Sequence, residues 1–314
     1  MKSVVIGGCG FVGRVLAEKL IGENHEVLIL DKLTHEVSKE FRVDLEKIGC
    51  KVEICDASKV DELNSILPSH ADFMFHFAAN SDIKPKSDGG NADFYDTLGT
   101  TLALAEVLKI KKVNHLVFAS SSAIYGNLIA KIKTNTHNIN PLKPISNYGI
   151  AKLSSEYILE NLHFSKKVSQ ISVFRFPNVV GRFATHGILF DFFMKRKSGS
   201  AQLEVLGNGN QNKPYLHVDD LTEEILRAIK WANPGLNFFN LSPIDTISVK
   251  EIVKLFLQIT NWDVPVKYQD TDFGWVGDVP SYSFDLSDGS GLPASSKKAI
   301  AQAIIELHSE SRFR

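Results

Sequence analysis

One junction constrains this chain more than any other. The apolar run Ser3–Ile6 passes through Gly7-Gly8-Cys9-Gly10-Phe11-Val12-Gly13 straight into an amphipathic stretch, Val12–Ile21. The string reads as G-x-x-G-x-x-G from Gly7, or as G-x-G-x-x-G from Gly8. Glycine suits it three times over: for a tight strand-to-helix turn, for close backbone approach to a pyrophosphate, and for packing a helix on a sheet without an intervening side chain. The helix N–H groups then face the anion. A ligand-free βα turn can carry the same string, so its meaning depends on the rest of the chain.

Beyond this junction the chain alternates regularly. Short apolar runs at Ser3–Ile6, Glu26–Leu30, Val52–Ile54, Phe73–Phe77, His115–Ala119, Ile171–Phe176 and Phe238–Leu241 read as seven strands. Helix-length segments such as Val12–Ile21, Leu98–Leu108 and Tyr148–Glu160 fill the gaps. This pattern predicts an α/β fold: a Rossmann-type, doubly wound parallel sheet of about seven strands with helices on both faces and right-handed crossovers. After Phe176 the rhythm breaks into turn-rich stretches around isolated helices, Leu221–Trp231 and Val249–Leu257, predicting a smaller α+β lobe. The expected division is 1–177 plus 215–247 for the dinucleotide-binding domain and 178–214 plus 248–314 for the second lobe. Asp220 and Glu223 read as an N-cap and N3 pair opening the Leu221 helix.

Composition narrows the function. Thirty-five basic and thirty-six acidic residues leave a net charge of −1, which gives no overall pull toward nucleic acid or an anionic membrane. No apolar run approaches the ~20 residues of a membrane span, and strand-like sequence from Ser3 leaves no room for a signal peptide. Cys9, Cys50 and Cys55 lack C-x-x-C spacing and the ten histidines lack H-E-x-x-H, so no metal is expected and a reducing cytoplasm is.

Asp31 closes the second strand eighteen residues after Gly13, near the ~20-residue spacing of an acid that hydrogen-bonds an adenosine ribose. A carboxylate there repels a 2′-phosphate, which favours NAD over NADP; the adjacent Lys32 weakens that preference. Asp56, after the third strand, is either a partner for the adenine amino group or the N-cap of a helix over Lys59–Leu67.

Tyr148 and Lys152 stand four residues apart on one helix face. A phenol titrates near ~10, and a neighbouring ammonium favours its phenolate, which suits proton transfer. The fifth strand ends in Ser120-Ser121-Ser122-Ala123-Ile124-Tyr125-Gly126, at the carboxyl edge where open α/β sheets bind ligands. A serine there can bridge a substrate hydroxyl to Tyr148.

Together, the glycine loop, His76-Phe77-Ala78-Ala79, the serine run, Tyr148-x-x-x-Lys152 and Phe174-Arg175-Phe176-Pro177-Asn178-Val179-Val180-Gly181 resemble the extended short-chain dehydrogenase/reductases, and within them the NAD-dependent nucleotide-sugar epimerases and dehydratases. The likeness runs over about residues 1 to 290. It implies bound NAD, faced by Gly7, Gly10, Phe11, Val12, Gly13, Asp31, Asp56, Ala57, Phe77, Ala78, Ala79, Tyr148 and Lys152. It implies catalysis by Tyr148, Lys152 and Ser121, with Ser122 as the second choice of hydroxyl, and a nucleoside-diphosphate sugar held between two lobes by Ser122, Asn178, Lys213, Asp278 and Tyr282. A homodimer is also implied, for which the apolar face Leu98, Leu102, Ala105, Val107 and Leu108 is available, though core burial explains that face equally well.

The chain departs from the family pattern in four places. Lys213 and Trp275 stand where diphosphate-binding arginines are usual, Asp96 replaces an asparagine, and the region beyond Asp285 is short. Lysine can pair a phosphate but loses the two-pronged geometry of arginine. The sister dehydratases carry Thr-Asp-Glu where this chain has Ser121-Ser122-Ala123, so the resemblance favours an epimerase of UDP-glucose/UDP-galactose 4-epimerase type, with Tyr282 narrowing the pocket against N-acetyl groups. The alternatives are a 4,6- or 5,6-dehydratase, a reductase, and a non-catalytic dinucleotide sensor.

Overall fold

A computed structural model describes residues 1–80, 91–127, 131–133, 142–275, 277–286 and 291–313. The seven apolar runs form seven strands of one sheet: β1 (Lys2–Ile6), β2 (Glu26–Asp31), β3 (Lys51–Ile54), β4 (His70–His76), β5 (Lys112–Ser121), β6 (Gln170–Phe176) and β7 (Leu236–Asn240). Their order is β7-β6-β5-β4-β1-β2-β3. Pairing is parallel from β5 through β3, with Val4 opposite both Leu28 and Met74. The chain winds outward from β1 to β3 and resumes on the other side of β1 with β4. The β1/β4 boundary is therefore the switch point, where loops leave in opposite directions and open a crevice.

Helices α1 (Phe11–Gly22), α2 (Glu36–Lys47), α3 (Val60–Ile66), α4 (Gly99–Val107) and α5 (Asn147–Phe164) accompany the sheet. Leu63 of α3, Leu104 of α4 and Leu159 of α5 share one core cluster with Val4, Leu30, Met74 and Leu116. The alternating residues Val5, Ile29, Phe75 and Val117 are equally buried, as a sheet covered on both faces requires. A π-helical turn, Phe94–Leu98, leads directly into α4. The face available for pairing two copies divides there: Leu102 is 52% exposed, but Val107 and Leu108 lie in the core. Leu102 and Val107 stand five residues apart in α4, about 140° around its axis, so the helix turns one to solvent and the other to the core.

The chain forms two compact units: Met1–Ser121 with Asn147–Arg175 and Thr222–Phe239, and Ser122–Ser146 with Phe176–Leu221 and Asn240–Arg314. Segments 122–146, 176–177, 215–221 and 240–247, which the sequence pattern groups with the sheet, thus belong to the second unit. Two of its local contacts account for this: Ile132–Lys133 pairs with Phe284–Asp285, and the Tyr125 hydroxyl donates to Asn240 at 2.6 Å.

Within the second unit, Asn178–Val180 pairs in parallel with Tyr215–His217, and Leu203–Val205 with Val266–Tyr268. Its helices are α6 (Ile188–Lys197), the start of α7 (Val218–Trp231), α8 (Val249–Thr260) and α9 (Ser296–Ser309). Phe193 anchors the core, its ring 4.9 Å from Phe256 and 5.0 Å from Phe313. Helix α7 begins at Val218, so Asp220 lies in its first turn and is not the N-cap. A reciprocal capping box does occur, at Ser248 and Glu251 of α8.

Candidate active site

The glycine loop occupies the switch point. Gly7 has φ +85°, and a Cβ there would lie 2.6 Å from the amide nitrogen of Ala78, so the loop abuts the Phe77-Ala78-Ala79 segment after β4. At Gly13 a Cβ would come within 2.2 Å of the Gly7 carbonyl oxygen, so α1 cannot pack there with any side chain. Helix α1 starts from Gly10 with no side-chain cap. Its first turn therefore presents backbone amides rather than a capped end, as a pyrophosphate site needs.

Asp31 ends β2 beside this loop. Its carboxylate accepts from the Cys9 amide at 2.9 Å and from the Leu33 amide at 2.9 Å. Burial raises its pKa against the opposing effect of those two bonds. Asp56 accepts from the amide and hydroxyl of Ser58, while Lys59 is the N-cap of α3, so Asp56 is not the helix cap. Ala57 is buried next to it. An uncapped helix start, a cramped glycine turn and an acid tied to that turn fit a dinucleotide.

The catalytic candidates lie at the ends of β5 and α5. Tyr148 is hydrogen-bonded to Ser121, and the Lys152 ammonium stands 5.8 Å from the Tyr148 ring centroid. Lys152 is 2% exposed, donates to the Ala119 carbonyl at 2.6 Å and lies 4.8 Å from the Phe118 ring centroid. Burial pulls Lys152 down to about 7, with Glu156 resisting. Burial also pushes Tyr148 up to about 12, aided by Asp93 and opposed by the Ser121 bond. The four-residue spacing alone predicts the opposite direction for the phenol. Desolvation wins because Lys152 sits over the ring and directs its proton to a carbonyl.

Three charged residues near this group were not singled out from sequence. Glu156, one turn beyond Lys152, is buried and clasped by Arg175 at 3.0 and 2.6 Å, with the Ser120 hydroxyl also donating to it. The Arg175 guanidinium covers the Phe238 ring at 4.7 Å. Asp93 is buried and accepts from Asn80 at 2.8 Å. A charge inside an otherwise apolar strand, as Arg175 is in β6, signals a buried partner; Glu156, four residues from Lys152, was the available acid.

The second unit holds the remaining candidates in two groups. Ser122 donates to the Tyr282 hydroxyl at 2.9 Å, and the Asn178 amide reaches the same oxygen at 3.4 Å. Lys213 is paired with Asp278 at 2.5 Å, both side chains under one-tenth exposed, and its ammonium stands 5.4 Å from the Trp275 ring centroid. Elsewhere in the unit His217, Asp219 and Glu306 converge, but Arg182 donates to the Asp219 carboxylate at 3.0 Å and its amide to Glu306 at 2.9 Å. Those carboxylates are already matched by protein donors, as in an ion-pair network.

A family model described as the NAD dependent epimerase/dehydratase family matches residues 3–241. The chain belongs to this family. It is 26% identical over 284 residues to a UDP-glucose 4-epimerase of Corynebacterium glutamicum, covering 85% of this chain and 83% of that relative. A solved structure of a UDP-galactose 4-epimerase matches with a TM-score of 0.83 at 25% identity, covering 99% of this chain and 100% of the other. A UDP-glucose 4-epimerase from Bifidobacterium longum, solved in complex with NAD+ and UDP, shares the fold, with a TM-score of 0.84 at 21% identity over 100% of both chains. The protein is an NAD-dependent nucleotide-sugar epimerase, an isomerase. Among its described residues no helix is long and apolar enough to cross a membrane.

Proposed function

We propose that this epimerase interconverts UDP-glucose and UDP-galactose through a transient 4-keto sugar. The hydrogen bond between Ser121 and Tyr148, with Lys152 beside the ring, carries the reading. Ser122 spends its proton on Tyr282, which leaves Ser121 as the hydroxyl for the reaction. No acid follows it in the Ser121-Ser122-Ala123 run, so the support for water elimination found in Thr-Asp-Glu enzymes is missing.

The glycine loop, Asp31, Asp56, Ala57 and the Phe77-Ala78-Ala79 segment would hold NAD. Bound there, NAD supplies a hydride acceptor and donor for the sugar C4 and a positive charge on its nicotinamide. At a pKa of about 12 only ~10⁻⁵ of Tyr148 is ionised at pH 7, so the phenol depends on added positive charge to act as a base. Tyr148 takes the O4 proton through Ser121, holds it while C4 is a ketone, and returns it after the sugar has turned. Lys152, near its own titration point, stabilises the phenolate and fixes the nicotinamide ribose.

Asn178 and Lys213 serve the diphosphate, Asp278 positions Lys213, and Tyr282 limits bulk at the sugar. Lys213 reaches a phosphate by exchanging its bond to Asp278. We further read the protein as a cytoplasmic homodimer: its three cysteines are free and buried, and exposed Tyr95, Leu102, Ile150 and Tyr157 line the helices at 94–107 and α5. The deciding experiment follows a panel of nucleotide sugars by NMR. Inversion at C4 of UDP-glucose with composition retained is expected; loss of water would move the protein to the dehydratases, and inversion only of acetamido sugars would remove Tyr282 from its role.

A further inference from the structure

Lys32 follows the ribose-reading acid Asp31, where a basic residue would pair with the 2′-phosphate of NADP. In this chain its ammonium is bound to Asp96 at 2.6 Å, joining the end of β2 to the π turn Phe94–Leu98 across 64 residues. The two side chains are 35% and 33% exposed. Solvent thus reaches the pair, and an incoming phosphate could compete for the ammonium if the carboxylate were absent. Lys32 also lies within electrostatic reach of Asp31 and Asp56, so one ammonium stands among three carboxylates.

We propose that Asp96 is a cofactor-specificity residue acting through Lys32: by holding that ammonium it denies a 2′-phosphate its natural partner. The inference rests on the adenosine ribose lying at Asp31. Asp31 alone repels the extra phosphate, but an unclaimed lysine next to it would offset that repulsion. An asparagine at position 96, as the family pattern has it, would leave Lys32 unclaimed.

The test uses the purified protein equilibrated with equal concentrations of NAD and NADP, freed of unbound nucleotide, and analysed chromatographically for what it releases. Asp96→Asn should raise the bound NADP:NAD ratio by about tenfold or more, equivalent to roughly 1.4 kcal/mol. Adding Lys32→Gln to Asp96→Asn should return the ratio to near that of the unaltered protein. An unchanged ratio in Asp96→Asn overturns the proposal. So does a raised ratio that survives Lys32→Gln, because Asp96 would then act by its own charge. Asp31→Asn is the separate control: a ratio indifferent to it removes the ribose from Asp31, whereas a responsive Asp31 with an indifferent Asp96 removes only the role of Asp96.

Discussion

Two buried lysines in this protein meet opposite fates. Lys152, in the sheet unit, donates to the Ala119 carbonyl, and burial brings it down to about 7. Lys213, in the second unit, is paired at 2.5 Å with the buried carboxylate of Asp278. A carbonyl partner supplies a dipole but no compensating charge, so desolvation is only partly offset; a carboxylate supplies the full counter-charge. The acid nearest Lys152, Glu156, is itself neutralised by two-pronged contact with Arg175. One lysine is left poised to change protonation and the other is held in a buried ion pair. The first arrangement suits chemistry, the second recognition or architecture.

Four experiments put this contrast at risk. Tyr148→Phe should lower kcat by about 10³-fold or more with NAD still bound, near the upper range for loss of an acid–base group; turnover within tenfold of the unaltered enzyme would remove the phenol from the mechanism. Next in size, Arg175→Met should cost about 3–5 kcal/mol in a denaturant melt by leaving Glu156 buried without its counter-charge, whereas Arg175→Met with Glu156→Leu should recover most of that loss. Recovery absent in the double variant would mean that packing on Phe238, not the ion pair, is what Arg175 provides.

Lys152→Met should lower kcat by about 10²-fold and also change the pH dependence of stability. A folded-state pKa of about 7, below the ordinary 10.5, means the unfolded chain binds more protons between those values, so Lys152 makes stability rise with pH across that window. The variant should therefore gain most over the unaltered protein at and below pH 7, and the Tm difference should shrink toward pH 10.5. A pH-independent difference would show that the lysine is not desolvated. Smallest is Lys213→Gln, which keeps a donor for Asp278: KM for the nucleotide sugar should rise about tenfold with kcat within about threefold. A fall in kcat at constant KM would place Lys213 with the reacting atoms.

Much of the fold was legible because its signals are local. Buried parallel strands read as continuous apolar runs, and all seven were found within a few residues of their ends; β5 extends further, through Ser121. The glycine spacing located the switch point because the turn is itself short, as the Gly13–Gly7 approach shows; the contact of Gly7 with Ala78 comes from the fold. Where the reading failed, the local signal fitted more than one neighbouring solution. The start of α7 precedes Asp220, Val107 and Leu108 turn into the core away from exposed Leu102, and Asp56 turns to Ser58 rather than to α3.

The order of residues was enough to specify the class of fold, the glycine loop at the switch point, the acid at the end of β2 and the placing of Tyr148 and Lys152 on one helix, because each is written in periodicity or short spacing; the choice of Ser121 came from the family resemblance. Folding in three dimensions was needed to settle which charge meets which: Lys32 with Asp96, Glu156 with Arg175, and Lys213 with Asp278, pairs lying 64, 19 and 65 residues apart. It also reversed the expected shift of Tyr148, since a pKa depends on how much water is removed as well as on which charge is near, and no spacing rule reports the water.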